Sequence, residues 1–294
     1  MRDSRLKIWV LASRPKTLWI AVSPVMIGTA MAYGDGKAHW LSAFLAALGA
    51  VLIQIGTNLS NDYFDYVHGV DKEERLGPMR VTQAGLVKPQ VMKRAFIMVY
   101  ALAALATLYL ICRAGWPILV IGVLSIASGI LYTAGPFPLG YHGLGDIFVL
   151  IFFGLAAVGG TYYVQALEIN TPVLLAGLAP GLLSTAILSV NNLRDVYTDK
   201  EVGKKTLPVR FGETFGRMEY LFCIVIPCLI PIILVAITRG HHFCLASSLV
   251  FLLALPSIRI ILHERPGSVY NQVLAKTGIL LLTFSLLFSI GWIL

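Results

Sequence analysis

Nine apolar stretches, each close to the length of a bilayer crossing, alternate with short polar segments along this 294-residue chain. They fall at residues 17–33, 41–66, 95–112, 116–133, 145–164, 172–192, 218–238, 243–262 and 277–294. A helix of about 20 apolar residues spans the hydrocarbon core of a bilayer. The pattern therefore predicts an all-α, polytopic membrane protein with nine transmembrane helices. Only two polar stretches are long, residues 67–94 and 193–217. Neither can bury a core of its own, so residues 1–294 are expected to form one transmembrane domain.

Composition supports this reading: 57% of residues are hydrophobic and 13% charged, with a mean hydropathy of +0.78. Soluble domains carry about 25% charged residues. Lys and Arg concentrate in cytoplasmic loops of membrane proteins. With the N-terminus inside, 20 of the 23 basic residues become cytoplasmic, leaving Lys37, Arg113 and Arg239 outside. The N-terminus is thus expected in the cytoplasm, and the net charge of +8 is topological, with no nucleic-acid partner expected. Cys112, Cys223, Cys228 and Cys244 lie in apolar stretches without metal-ligand spacing and read as small core residues. The apolar run at Ile8–Ser13 is too short for a signal-peptide core, so no cleaved leader is expected.

Against this background two polar clusters stand out. The first is Asn58-Leu-Ser-Asn61-Asp62-Tyr-Phe-Asp65, closing at Asp71; the second is Asn191-Asn192-Leu-Arg194-Asp195-Val-Tyr-Thr-Asp199. Ionisable groups at membrane depth are costly and mark functional sites. Helical spacing of three, four and seven groups Asn58, Asp62 and Asp65 on one face, and Asn191, Asn192, Asp195 and Asp199 on another. Oxygen donors without His or Cys suit Mg²⁺, which keeps waters and binds through few carboxylates plus substrate phosphates. Arg80 and Lys88 follow the first cluster, and Arg194, Lys204 and Lys205 accompany the second. Such bases clamp diphosphate oxygens. Val70-Asp71-Lys72-Glu73 also parallels Thr198-Asp199-Lys200-Glu201, which predicts two pseudo-repeated halves with Asp motifs at 58–71 and 191–199.

These motifs resemble the two Asp-rich motifs of the UbiA superfamily of intramembrane prenyltransferases. The likeness extends to Arg14-Pro-Lys-Thr17, Gly77-Pro-Met-Arg80-Val-Thr-Gln-Ala-Gly85, Tyr132-Thr-Ala-Gly-Pro136 with Gly140-Tyr141, and Gly203-Lys-Lys-Thr-Leu207. The flanking strings are closest to the branch that prenylates 1,4-dihydroxy-2-naphthoate in menaquinone synthesis. Many members space the first motif N-x-x-x-D-x-x-x-D, which would place an acid where this chain has Tyr66; Asp65 and Asp71 are the available substitutes.

The resemblance implies a nine-helix bundle in which Asn58, Asp62, Asp65, Asp195 and Asp199 hold Mg²⁺ on a polyprenyl diphosphate. Asn61, Asp71, Arg80, Lys88, Tyr132, Asn192, Arg194, Lys204 and Lys205 are the expected substrate contacts. Diphosphate departure leaves an allylic cation, the dihydroxynaphthoate ring attacks it, and loss of the ring carboxylate as CO₂ yields demethylmenaquinol. Membrane lipid is the other expected partner, and a bacterial cytoplasmic membrane the expected location. The Asp motifs alone also fit prenylation of 4-hydroxybenzoate or homogentisate. A cation-coupled transporter is the remote alternative.

Overall fold

A computed structural model describes residues 2–69, 77 and 79–294, with side chains from Arg5 onward. Asp71 lies outside the described residues. Among these residues every regular element is helical. A short α1 (Arg2–Ser13) leads into α2 (Pro15–Gly34), α3 (Trp40–Val67), α4 (Pro89–Ala114) and α5 (Trp116–Leu131). After the Leu139–Tyr141 turn come α6 (Gly145–Ala166), α7 (Thr171–Arg194), the short α8 (Val196–Glu201) and α9 (Leu207–Phe211), α10 (Glu213–Thr238), α11 (His242–His263) and α12 (Tyr270–Ile293).

Among the described residues, eight helices are long and apolar enough to cross a membrane; α5, with 16 residues, is the shorter apolar helix beside them. At about 1.5 Å per residue α5 reaches roughly 24 Å, short of the ~30 Å hydrocarbon core. Its link to α4 is Gly115 alone, with φ +79 and ψ −162, a conformation that a side chain would strain. The two helices therefore form a tight hairpin.

The main core gathers α2, α6, α7, α10, α11 and α12 around fully buried side chains such as Tyr162, Leu183, Phe284 and Phe288. At its centre, α7 is the most enclosed span, with 78% of its apolar window buried. Backbones meet closely where α6 crosses it: a Cβ on Gly181 would lie 2.8 Å from the Leu150 carbonyl oxygen, and one on Gly154 2.7 Å from that of Gly177. Small residues at such crossings allow the close packing that holds helices together in lipid. Within α6, residues Ile151–Ala156 form a π-helical segment at this crossing.

A second, smaller core joins α1, α3, α4 and the polar loop before α4, through Ala12, Leu59, Val81, Met92 and Phe96. All four cysteines are free thiols; Cys223, Cys228 and Cys244 are buried as expected, whereas Cys112 is exposed on α4 and is not a core residue.

Candidate active site

A cavity of about 650 Å³ runs between α2, α3, α5, α6 and α7, and both polar clusters open into it. From α3 come Asn58, Asn61 and Asp65; from the end of α7 and the segment beyond it come Asn191, Asn192, Arg194, Asp195, Asp199 and Lys204. Arg80 and Tyr132 also line it. Away from this polar end the walls become apolar, with Ile53, Ile121, Phe148, Phe152 and Phe153, reaching Leu110, Ile118 and Val164.

The two clusters are linked by a chain of polar contacts. Arg80 forms an ion pair with Asp65 Oδ2, and both side chains are buried. The Tyr141 hydroxyl donates to Asp65 Oδ1 at 3.2 Å. The Lys204 ammonium lies 4.8 Å from the centroid of the Tyr141 ring and 3.5 Å from Asp199 Oδ1. The Tyr141 carbonyl also accepts the Lys205 N–H at 2.8 Å, fixing the second polar loop against the first half. Cations thus alternate with carboxylates along one wall.

Arg194 serves the second cluster from within. Only 1% exposed, it grips Asp195 with Nε at 2.8 Å and Nη2 at 2.6 Å, and donates to Asn191 and Asn271, each at 2.8 Å. Bidentate pairing fixes the orientation of a carboxylate. The guanidinium therefore sets the rotamer of Asp195, and most of its N–H groups are spent within the protein.

Asn58 similarly holds a corner. Its amide donates to the Ser13 carbonyl at 2.9 Å and to Thr17 Oγ1 at 3.0 Å, across the break between α1 and α2. That break is made by Arg14, a non-glycine residue at φ +50, and it brings Arg14 and Lys16 to the cavity. Asn61 accepts from Thr133 Oγ1 at 3.0 Å, tying α3 to the end of α5.

Three expected site residues stand apart from the cavity lining. Asp62 is buried, but its carboxylate accepts the backbone N–H groups of Val81 and Thr82, each at 3.0 Å. Lys88 is exposed at the start of α4, and Lys205 is exposed and contributes through its backbone. Conversely, Arg14, Lys16, Tyr141 and Asn191 line the cavity, and Asn271 supports it from α12. Arg14, Lys16 and Tyr141 occur in the flanking strings, so a signal existed for them. Asn271 has no local signature.

Burial raises the Asp199 carboxyl to about 6, with Lys204 drawing it down and Asp195 pushing it up. The donor set fits Mg²⁺. It is oxygen only, and among the described residues no three His, Cys, Asp or Glu side chains converge on one point. Mg²⁺ takes such oxygen donors together with water and phosphate rather than from an all-protein cage.

The UbiA prenyltransferase family pattern matches residues 21–280. The chain belongs to the UbiA prenyltransferase family. Among its UbiA relatives, the 1,4-dihydroxy-2-naphthoate octaprenyltransferase of Escherichia coli is 40% identical, the alignment covering 98% of this chain and 96% of the relative. The enzyme of the same name from Mycobacterium tuberculosis is 37% identical over 95% and 94% of the two chains. The fold matches a UbiA homologue from Archaeoglobus fulgidus bound to GPP and Mg²⁺, with a TM-score of 0.72 at 17% identity, covering 97% of this chain and 99% of that one.

Proposed function

We propose that this protein transfers a polyprenyl group from polyprenyl diphosphate to 1,4-dihydroxy-2-naphthoate, with decarboxylation to demethylmenaquinol. The observation that carries the reading is the cavity that both clusters share, in which two acid-and-base clusters at one end continue into an apolar tunnel. A molecule with an anionic head and a long hydrocarbon tail matches that division. The naphthoate acceptor rests on the names of relatives 35–40% identical over nearly the whole chain.

Asn61 and Asp65 on α3, with Asn191, Asp195 and Asp199 opposite, are the residues that would hold Mg²⁺. When bound, Mg²⁺ would neutralise diphosphate charge and favour its departure. Arg80 and Lys204, already beside the carboxylates, donate to diphosphate oxygens and stabilise the negative charge that grows as the allylic C–O bond breaks. Tyr132 and Tyr141 offer ring faces to the cation. Phe148, Phe152 and Phe153 exclude water from it, so that the acceptor ring is the available nucleophile.

The nine-crossing arrangement includes α5, held in the bundle by its hairpin to α4. The segregation of Lys and Arg supports an N-terminus and a cavity mouth facing the cytoplasm. A bacterial cytoplasmic membrane is the proposed location.

Membranes containing the protein, incubated with farnesyl or longer diphosphate, Mg²⁺ and each candidate acceptor, should give prenylated, decarboxylated naphthoquinol by product mass. Prenylation of 4-hydroxybenzoate in its place would overturn the acceptor assignment. Asp195→Ala and Asp199→Ala should each lower transfer at least about 100-fold while the protein still inserts, as loss of preorganised charge at the reacting centre does.

A further inference from the structure

Asp62 belongs to the first cluster by sequence but faces a loop. At 2% exposure its carboxylate is nearly sealed, with Oδ2 accepting the Val81 N–H and Oδ1 the Thr82 N–H, both at 3.0 Å. Two oxygens on two consecutive amides form a two-point attachment, which fixes both the position and the rotation of the loop. Its other side is also secured: Val81 is 0% exposed, packs with Leu59, Met92 and Phe96, and its carbonyl accepts the Leu86 N–H at 3.0 Å. The residue immediately before this anchor is Arg80, which reaches the cavity and pairs with Asp65.

We propose that Asp62 is a positioning residue, which docks the loop before α4 so that Arg80 meets the diphosphate, and is not a metal ligand. The inference rests on the diphosphate reading of the cavity. An ionised carboxylate suits the task because it offers two acceptors and no donor. Asparagine at this position keeps one acceptor and turns an NH₂ group towards an N–H. The loop would then lose one anchor, and the guanidinium would sample positions away from the cavity.

The test is kinetic and thermodynamic, on the full-length protein in detergent or membranes. Asp62→Asn should raise KM for prenyl diphosphate about tenfold, the effect of losing one charge-assisted hydrogen bond. The Mg²⁺ concentration for half-maximal transfer should stay within about twofold, because no ligand is removed. In an Arg80→Ala background, Asp62→Asn should add little, because both changes remove one function. Thermal stabilisation of the protein by Mg²⁺ with inorganic pyrophosphate, read without turnover, should weaken in the same order. If Asp62→Asn fails to accumulate, Thr82→Pro removes one of the two N–H groups from the loop side, leaves the carboxylate in place, and should give the same KM increase. A tenfold or larger rise in the Mg²⁺ requirement, or full additivity with Arg80→Ala, would overturn the proposal. Absence of prenyl transfer by the unsubstituted protein would instead sink the functional reading.

Discussion

With Asp199 raised by burial to about 6 and a reference value of 3.8, the fold favours its protonated form. Stability from this shift is present below the unfolded value and lost as pH rises through about 6. At pH 7.5 the ligand-free protein carries the cost of a buried charge. Asp199→Asn should therefore raise the melting temperature in detergent at pH 7.5 by a few degrees while abolishing transfer, a trade of stability against function. Activity should have the opposite pH dependence, because only the ionised carboxylate binds metal. Transfer at limiting Mg²⁺ should fall below pH 6, and more Mg²⁺ should move that fall to lower pH; a pH profile at two Mg²⁺ concentrations checks it. At this scale the sequence showed which residue types matter better than which way they point. At about 100° per residue, Asn58, Asn61 and Asp65 span ~60° of α3, and Asp62 lies ~40° beyond Asn58 on the other edge. Spacing alone counts all four as one face. The nearby loop captures Asp62 because its amides need acceptors, and that loop is distant in sequence.

Hydropathy located each long helix but drew most of them too short at one or both ends. The run at 95–112 belongs to α4, Pro89–Ala114, and the run at 277–294 to α12, Tyr270–Ile293. Apolar character stops at the edge of the hydrocarbon, whereas backbone hydrogen bonding continues to the next cap or proline. The amphipathic α1 was not legible as an element, being too short and too polar for a span, yet it packs Ile8, Trp9 and Ala12 against the smaller core. Nor does a hydropathy pattern reveal which spans touch. The contact of α6 with α7 depends on Gly154, Gly177 and Gly181, and any Cβ at Gly181 would press on the Leu150 carbonyl at 2.8 Å. Gly181→Leu should force these helices apart, at a cost of about 1–3 kcal/mol for overpacking. It should appear as a lower melting temperature in detergent and weaker prenyl transfer, since α7 carries the second cluster at its end. An unchanged melting temperature would show that the crossing is less tight than the structure indicates.

At the scale of the whole molecule, the apolar length of the chain and the pairing of two acidic motifs were legible, but the depth of the tunnel between them was not. Its walls come from helices scattered along the chain, including Thr107 and Leu110 of α4, and no local pattern marks those residues as lining the same cavity as Asp65. Tunnel depth nevertheless governs which tails fit. Gly122 on α5 lines the cavity, and a Cβ built there meets nothing within 4 Å. It lies eleven residues before Thr133 at the polar end, or roughly 16 Å at the rise of a helix. A geranyl tail anchored by its diphosphate stops short of this point, while a long polyprenyl tail must pass it towards Leu110, Ile118 and Val164. Gly122→Phe places a ring in that open space without disturbing a packed neighbour, and also replaces a helix-weakening residue with a better one. Turnover of geranyl diphosphate should then stay within about threefold, whereas turnover of octaprenyl diphosphate should drop tenfold or more, the scale of 1–3 kcal/mol for overfilling a site. The measurement is competition between the two diphosphates, read by product mass. Equal loss of both products would mean that the tail leaves the bundle sideways into lipid before reaching Gly122, and that the bilayer, rather than the tunnel floor, accommodates its length.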